Sequence, residues 1–181
     1  MKYMNFDPQI HDAQKIATLK YNVDFRTYDR LFGSRQKAIA SLVKSLKNDK
    51  TLRVIYDGED IIGILNACNY YNQQRIHFIT LKLFIVEIMD HFVICDIEKD
   101  DIYIGEIAID ENHRSKGYGT RVINDVIDHA RKKGYKRVIL DADFRNPKAK
   151  ALYERLGFKV YRKKSFLGRG MYNMEYVISQ K

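Results

Sequence analysis

The stretch that decides the fold of this chain is Arg114-Ser115-Lys116-Gly117-Tyr118-Gly119. It lies between an apolar run, 103–109, and an amphipathic run, 118–133, so it predicts a strand, a short glycine turn and a helix. Because glycine has no Cβ, the backbone amides of this turn are able to close tightly around an anion. The helix would direct its unpaired first amides and its positive dipole end to the same point, and the arginine and lysine add two charges. The stretch therefore predicts a phosphate-binding loop.

This loop differs from the two familiar phosphate-binding motifs. The G-x-x-x-x-G-K-[ST] spacing is absent, and only two of the three glycines of the dinucleotide fingerprint are present. Taken alone, the six residues also fit an ordinary strand-to-helix loop that is basic because it is solvated. The choice between these interpretations depends on the rest of the chain.

Length and composition indicate one globular domain, 1–181. The 181 residues are 45% hydrophobic and 30% charged, which is typical of a soluble protein with a real core. Two cysteines, Cys68 and Cys95, form neither a disulfide framework nor a zinc pattern, and their apolar surroundings predict inert thiols. Residues 1–11 have no apolar signal core. We predict a cytoplasmic protein with no metal site and no membrane association.

The net charge of +9 is unevenly distributed. Residues 1–112 carry 14 basic against 17 acidic side chains, whereas residues 113–181 carry 18 against 6. A uniformly basic protein would indicate nucleic acid. Here the basic excess belongs to the half that contains the predicted loop, so binding of a polyanionic small molecule is an alternative explanation for it. The mildly acidic half would suit a cationic acceptor.

Helical and β-rich patterns alternate along the chain. Asp7-Pro8 and Asn146-Pro147 are each an N-cap followed by a proline suited to the first helical position. The segment 22–33 is ambiguous. The pattern predicts helices at about 7–21, 34–46, 118–133 and 146–156, and strands at about 52–56, 61–67, 102–109, 137–140, 158–166 and 171–178. With hairpins at both ends, this order predicts an α/β domain with a mixed sheet.

The most apolar segment is 78–97. Its length resembles that of a membrane span, but Lys82, Glu87 and Asp90 interrupt it, and charges there are costly in a bilayer. Helical spacing of its large side chains predicts a buried or interface helix instead. Covering the core, closing over an acceptor and forming a homodimer face are the alternatives.

Two blocks of sequence resemble the GNAT superfamily of N-acetyltransferases. The first is Glu106-Ile107-Ala108-Ile109 followed by Arg114-x-x-Gly117-x-Gly119, which is similar to the family's central acetyl-CoA motif. The second is Asn146-x-x-Ala149-x-x-Leu152-Tyr153-x-x-Leu156-Gly157-Phe158. The resemblance is close over 103–160 and weak over 1–100.

This resemblance implies a mixed, mostly antiparallel sheet whose fourth and fifth strands splay apart around the pantetheine arm of acetyl-CoA. Compared with the family's core, residues 70–100 form a long insertion before the fourth strand, and their spacing predicts that it is helical. It implies that backbone groups of Ile107, Ala108 and Ile109 pair with the pantetheine and that amides from Arg114 to Thr120 hold the pyrophosphate. Asn146 would contact the cofactor arm.

The resemblance also implies direct acetyl transfer to a primary amine, with Tyr153 directed at the sulfur. Tyr153 is then the candidate general acid, and packing beside the cofactor is its alternative role. Glu106 is the candidate base, because a carboxylate inside an apolar strand is costly without a partner or a wet cleft; a structural salt bridge is the alternative. His77, His91 and His113 have no metal-ligand spacing.

The acceptor is a small amine or a protein amine, and the sequence does not decide which. A non-catalytic acyl-CoA-binding module is one alternative to an enzyme. A basic nucleic-acid-binding protein is the other, and the confinement of the basic charge to one half of the chain argues against it.

Overall fold

The computed structural model describes residues 1–47, 49–73 and 80–179. The α-helices of these ranges are α1 (Ala13–Val23), α2 (Phe25–Phe32), α3 (Arg35–Leu46), α4 (Leu81–Val93), α5 (Tyr118–Lys133) and α6 (Pro147–Arg155). The strands are β1 (Lys2–Asn5), β2 (Leu52–Asp57), β3 (Asp60–Asn69), β4 (Asp101–Ile109), β5 (Arg137–Asp143), β6 (Lys159–Phe166) and β7 (Arg169–Val177).

The seven strands form one mixed sheet in the order β1-β2-β3-β4-β5-β7-β6. The pairs β1–β2, β2–β3, β5–β7 and β6–β7 are antiparallel, and β4 and β5 are parallel. The register of β4 with β5 runs only from Asp101–Arg137 to Ile104–Leu140, although β4 continues to Ile109 and β5 to Asp143. The predicted mixed sheet is therefore confirmed.

The first helix begins later than the sequence predicts. The Asp12 carboxylate caps α1, accepting from the amides of Gln14 at 2.8 Å and Lys15 at 3.2 Å. Asp7 instead caps a turn, where its carboxylate accepts from the amide of Gln9 at 2.8 Å. The prediction of a helix from Asp7 was wrong because two aspartates competed for the cap and the second one begins the helix.

The other helix ends follow their capping residues. The ambiguous segment 22–33 contains α2, which Asp24 caps and which ends at Gly33 in the left-handed conformation (φ 70°). Ser34 caps α3, as predicted, and its hydroxyl accepts from the Lys37 amide at 3.3 Å. The apolar segment 78–97 contains α4, and its residues 78 and 79, like His77, lie outside the described residues.

The chain divides into two compact units. The first comprises Met1–Asn66, the segment that ends at Val86, and Glu106–Gly119; the second comprises Ala67–Gln73, Glu87–Gly105 and the chain from Thr120 onward. The core of the first unit combines α1, α2 and α3 with side chains of β2, β3, β4 and α4. The predicted apolar face of α5 included Tyr118, which is only partly buried. Its members in the second unit are buried: Val122, Ile123, Val126, Ile127 and Ala130.

Gly63 of β3 lies close against the backbone of β4. A Cβ at this position would lie 2.3 Å from the carbonyl oxygen of Ala108 in β4. We expect Gly63→Ala to lower the free energy of unfolding by about 1–3 kcal/mol, because the two strands would have to separate. Urea denaturation measures the change. Gly119→Ala is the matched control, since a Cβ there meets no atom within 4 Å; an equal loss in both variants would contradict the explanation.

Candidate functional site

The loop between β4 and α5 has the backbone of an anion cradle. Ser115 and Gly117 are both left-handed (φ 62° and 80°), and Arg114, before them, is extended. Alternation of this kind turns successive amides toward one side of a loop. Residues 114–117 are exposed, and α5 begins directly after them at Tyr118. The first-turn amides of a helix have no intrahelical acceptor, so loop and helix together offer hydrogen-bond donors to an anion.

Contacts within the first unit fix this loop. The Arg114 Nε donates to the carbonyl of Ile109 at 3.1 Å, and the Asp110 amide donates to the carbonyl of Ile62 at 2.8 Å. Asp110 also caps the short 3-10 helix Glu111–His113, where its carboxylate accepts from the Asn112 amide at 3.1 Å. The Tyr118 hydroxyl donates to the carboxylate of Asp57. Both ends of the cradle are therefore anchored.

The end of β4 extends beyond its register with β5, and the Ile109 carbonyl accepts from the Arg114 Nε there. Backbone groups of a strand alternate between its two edges. The Ala108 carbonyl and the Asp110 amide face β3, as the close approach of Gly63 and the bond to Ile62 show. The amide and carbonyl groups of Ile107 and Ile109 therefore face the opposite edge of β4, beyond the point at which its register with β5 ends.

Glu106 takes part in an ion-paired cluster of the first unit. Its Oε2 lies 2.7 Å from the Lys20 Nζ, which lies 3.1 Å from Oδ2 of Asp49. Burial by itself would lower the pKa of the Lys20 ammonium, but the carboxylates of Glu106 and Asp49 outweigh it and raise that pKa well above its ordinary value. Lys20 is therefore charged throughout the neutral range. The structural salt bridge that the sequence allowed as an alternative role for Glu106 is therefore present, with Lys20 as its partner.

The second unit contains the other predicted site residues, Thr120, Asn146 and Tyr153. Asn146 caps α6, and its side-chain oxygen accepts from the Ala149 amide at 3.1 Å, so its Nδ2 group is the part suited to donating to a ligand. The Tyr153 ring packs against Phe158, with centroids 6.1 Å apart. Burial, followed by the negative charge of Asp141, raises the pKa of the Tyr153 phenol to about 12. Thr120 lies partly buried in the first turn of α5.

A buried carboxylate in the second unit organises a polar network. Asp141 of β5 accepts from the Tyr103 hydroxyl at 2.7 Å, the Cys95 amide at 3.2 Å and the side-chain amide of Asn173. The Cys95 thiol lies 3.1 Å from its Oδ1. Burial raises the pKa of Asp141, although these donors oppose the change. Burial also raises the pKa of the Cys95 thiol, with the charge of Asp141 adding to it, which supports the prediction of an inert cysteine.

Three charged residues of these clusters, Lys20, Asp49 and Asp141, were not predicted from the sequence. Asp141 carried the same signal that identified Glu106, namely a carboxylate inside an apolar strand, Val138 to Ala142. Lys20 carried a signal too, since it shares a helix face with the fully buried Ile16 and Ala17. Asp49 had none, because it lies in a polar connection between α3 and β2.

The described ranges, 1–47, 49–73 and 80–179, contain neither a metal cluster nor a membrane-spanning helix. Within them, His, Cys, Asp and Glu side chains form no group of three arranged to hold a metal ion. His113 lies 3.4 Å from the Asp110 carboxylate, and His91 packs edge-on against Phe92. None of the helices in the described part of the chain is long and apolar enough to cross a membrane.

Comparison with known proteins gives a consistent result. The sequence profile of the Acetyltransferase (GNAT) family matches residues 17–158. An uncharacterised N-acetyltransferase of Methanocaldococcus jannaschii is 40% identical over 75 residues, which are 38% of this chain and 33% of that protein. The [ribosomal protein bS18]-alanine N-acetyltransferase of Salmonella typhimurium is 29% identical over 89 residues, 49% of this chain and 60% of that protein. The chain thus spans between a third and three fifths of these relatives.

Solved structures share the fold over nearly the whole chain. An N-acetyltransferase from Staphylococcus aureus superposes with a TM-score of 0.72 at 17% identity, covering 97% of this chain and 100% of that one. A Bacillus subtilis acetyltransferase in complex with CoA superposes with a TM-score of 0.60 at 12% identity, covering 98% of this chain and 99% of that one. A mutant of spermidine N-acetyltransferase from Vibrio cholerae superposes with a TM-score of 0.62 at 18% identity, covering 98% of this chain and 95% of that one.

Proposed function

Because this chain belongs to the Acetyltransferase (GNAT) family, we propose that it transfers an acetyl group from acetyl-CoA to a primary amine by direct attack. The observation that carries the proposal is the cradle 114–117, with two left-handed residues immediately before α5 and directly after the strand that matches the family motif. A pyrophosphate is the anion that such a loop and helix end would hold.

The cofactor contacts are proposed residue by residue. Amides from Arg114 to Thr120 would hold the pyrophosphate, and the side chains of Arg114 and Lys116 would balance its charge. Backbone groups of Ile107 and Ile109, which face the edge of β4 opposite β3, would pair with the pantetheine as a neighbouring strand does, with Ala108 between them. The Nδ2 group of Asn146 would donate to the same arm.

The reaction forms a bond between the amine nitrogen and the acetyl carbon and breaks the bond between that carbon and sulfur. We propose that Glu106, through a water, takes the proton that the amine loses and that the Tyr153 phenol gives a proton to the departing thiolate. A strand amide at the end of β4 would stabilise the oxyanion on the acetyl carbon. A cationic acceptor first releases one proton to solvent, because only the neutral amine attacks. In the transfer itself Glu106 gains one proton and Tyr153 loses one, so the protons of that step balance.

The acceptor is proposed to be cationic in its resting form. Residues 1–112 carry the acidic excess of the chain, and the Glu106 side chain there is 21% exposed. Two of the similar proteins are named for different acceptor amines, the alanine of a ribosomal protein and spermidine. A peptide amine and a polyamine are therefore the two classes to test.

Binding and turnover test the proposal together. A thermal-shift titration with acetyl-CoA should stabilise the protein by about 2.7 kcal/mol at a hundredfold excess over Kd. Dephospho-CoA and a DNA oligomer are the comparison ligands, and acetylation of spermidine and of an alanine-initiated peptide is then followed by mass spectrometry. Binding without acetylation of any amine would indicate a non-catalytic acyl-CoA module, and a shift with the oligomer alone would indicate nucleic-acid binding.

Gly117→Val tests the cradle. We expect the Kd for acetyl-CoA to rise at least tenfold, because a β-branched residue resists φ 80° and the amides would turn away from the pyrophosphate. Isothermal titration calorimetry measures the Kd. Gly134→Val is the matched control, with φ 78° at the other end of α5 and equally open space around its Cβ. Both variants should lose similar stability, about 1–2 kcal/mol; an equal affinity loss in both would contradict the cradle.

A further inference from the structure

Lys20 is a buried cation whose place in the core requires an explanation. It lies one turn after Ile16 and Ala17, which are fully buried on the same face of α1, and its side chain is only 11% exposed. Burying an ammonium is costly unless carboxylates surround it. One carboxylate would suffice to neutralise the charge, yet Lys20 contacts two.

Asp49 is the fixed member of this pair of carboxylates. Its Oδ1 accepts from the hydroxyl of Thr51 at 2.9 Å and from the Thr51 amide at 3.2 Å. The side-chain amide of Asn66 lies 3.0 Å from Oδ2 and 3.2 Å from Oδ1. The Asp49 side chain is only 6% exposed, and its oxygens are occupied by these donors and by Lys20. Asp49 is therefore suited to anchoring Lys20 rather than to exchanging protons.

Glu106 is the more accessible member. Its side chain is 21% exposed, over three times the exposed fraction of Asp49. Lys20, Asp49 and Glu106 together carry one excess negative charge. Uptake of one proton by Glu106 would leave Lys20 and Asp49 as a neutral, hydrogen-bonded pair. The cluster is therefore able to accept a single proton without leaving an uncompensated buried charge.

We propose that Lys20 is a positioning residue for acetyl transfer, which holds the Glu106 carboxylate oriented to accept the proton of the attacking amine while Asp49 fixes Lys20 in place. The inference rests on the proposed function, since it assigns Lys20 to that reaction. The titratable groups that act on Lys20 include Glu106 of β4, Asp49 after α3 and Tyr28 of α2.

The pH dependence of the reaction, measured beside the Glu106 midpoint, distinguishes positioning from simple support of the fold. Removing the Lys20 cation leaves Glu106 near the Asp49 charge alone, so its proton affinity rises. Removing the Asp49 charge leaves Glu106 with the full Lys20 cation, so its proton affinity falls. A purely structural salt bridge would move the Glu106 midpoint in the same two directions, but it would leave the acidic limb of kcat/KM in place.

The experiment is a carboxyl ¹³C NMR titration of glutamate-labelled protein, with Glu106→Gln to assign the resonance. We expect the Glu106 midpoint to be higher in Lys20→Met than in the wild type, unchanged in Lys20→Arg and lower in Asp49→Asn, because the Lys20 Nζ lies 2.7 Å from the Glu106 Oε2. The acidic limb of kcat/KM, measured with spermidine and with an alanine-initiated peptide, should move in the same order.

Two results would overturn the inference. The first is a Glu106 midpoint that is the same in wild type, Lys20→Met and Asp49→Asn; if Lys20→Met does not fold, the isosteric Asp49→Asn still supplies the downward shift to be tested. The second is a midpoint that moves while the acidic limb stays in place. A wild-type protein that acetylates none of the amines contradicts the proposed function instead, and the NMR titration then decides the coupling of Lys20 to Glu106 by itself.

Discussion

Replacing Tyr153 with phenylalanine is expected to lower kcat for acetyl transfer about 10²- to 10⁴-fold, the usual contribution of a positioned general acid. The phenylalanine ring preserves the packing against Phe158, so folding and acetyl-CoA affinity should remain near those of the wild type. What is lost is the proton that the departing thiolate needs. Steady-state kinetics with free-thiol detection measures the change.

The pH dependence of the wild type tests the same role. The pKa of Tyr153 is raised to about 12, first by burial and then by the charge of Asp141, so the phenol is protonated throughout the neutral range. Activity that requires the protonated phenol is retained below that pKa and declines only as pH approaches it. Asp141→Asn removes the negative charge, so the decline should begin at lower pH.

Tyr176→Phe is the matched control for Tyr153→Phe. Its ring also packs against Phe158, with centroids 5.6 Å apart, so it removes a hydroxyl beside the same side chain. We expect this variant to keep the wild-type rate. Equal rate losses in the two variants, or an unchanged kcat in Tyr153→Phe, would show that Tyr153 only packs beside the cofactor.

The second large effect is on stability. Arg137→Ala should lower the free energy of unfolding by about 3–5 kcal/mol, because it leaves a buried carboxylate without its cation. Arg137 makes a bidentate bond to Asp101, with Nε–Oδ1 2.9 Å and Nη2–Oδ2 2.8 Å, and Asp101 is 1% exposed. It also reaches Glu175 at 3.0 Å. Urea denaturation monitored by circular dichroism measures the loss.

Two further variants test whether the buried charge of Asp101 causes the loss of stability in Arg137→Ala. Arg131→Ala breaks an ion pair with Asp128 in which both side chains are half exposed, and it should cost no more than about 1 kcal/mol. The double variant Arg137→Met/Asp101→Leu removes both charges and should recover much of the stability lost in Arg137→Ala. If the double variant is as unstable as the single one, lost packing rather than the stranded carboxylate is responsible.

The elements that sequence predicts well are those whose signals are local. The face of α5 repeats at helical spacing, and Asn146-Pro147 begins α6 as predicted. Asp7-Pro8 carried the same helix-start signal, but Asp12 is a second possible N-cap. No local rule decides which of the two aspartates begins the helix. The strand β1 has four residues and exists through its pairing with β2, so its own residues gave little indication of it.

The candidate site also combines features that local sequence predicts with contacts that it does not. The cradle 114–117 and the two residues after it are contiguous in the chain, so their glycines and charges predict an anion site from the sequence alone. The partners of Glu106 and Tyr153 are distant in sequence, and only the fold brings Lys20 to Glu106 and Asp141 near Tyr153. A buried charge indicates that it needs a partner, but its own neighbours in sequence do not identify that partner.

Both native thiols are buried, and that of Cys95 is held in its protonated form by burial and by Asp141. The protein therefore offers maleimide reagents no accessible thiolate. A single cysteine introduced at an exposed residue, such as Glu59 in the turn between β2 and β3, would then carry a fluorophore or a surface tether selectively. Site-specific labelling for single-molecule measurements needs no prior removal of Cys68 or Cys95.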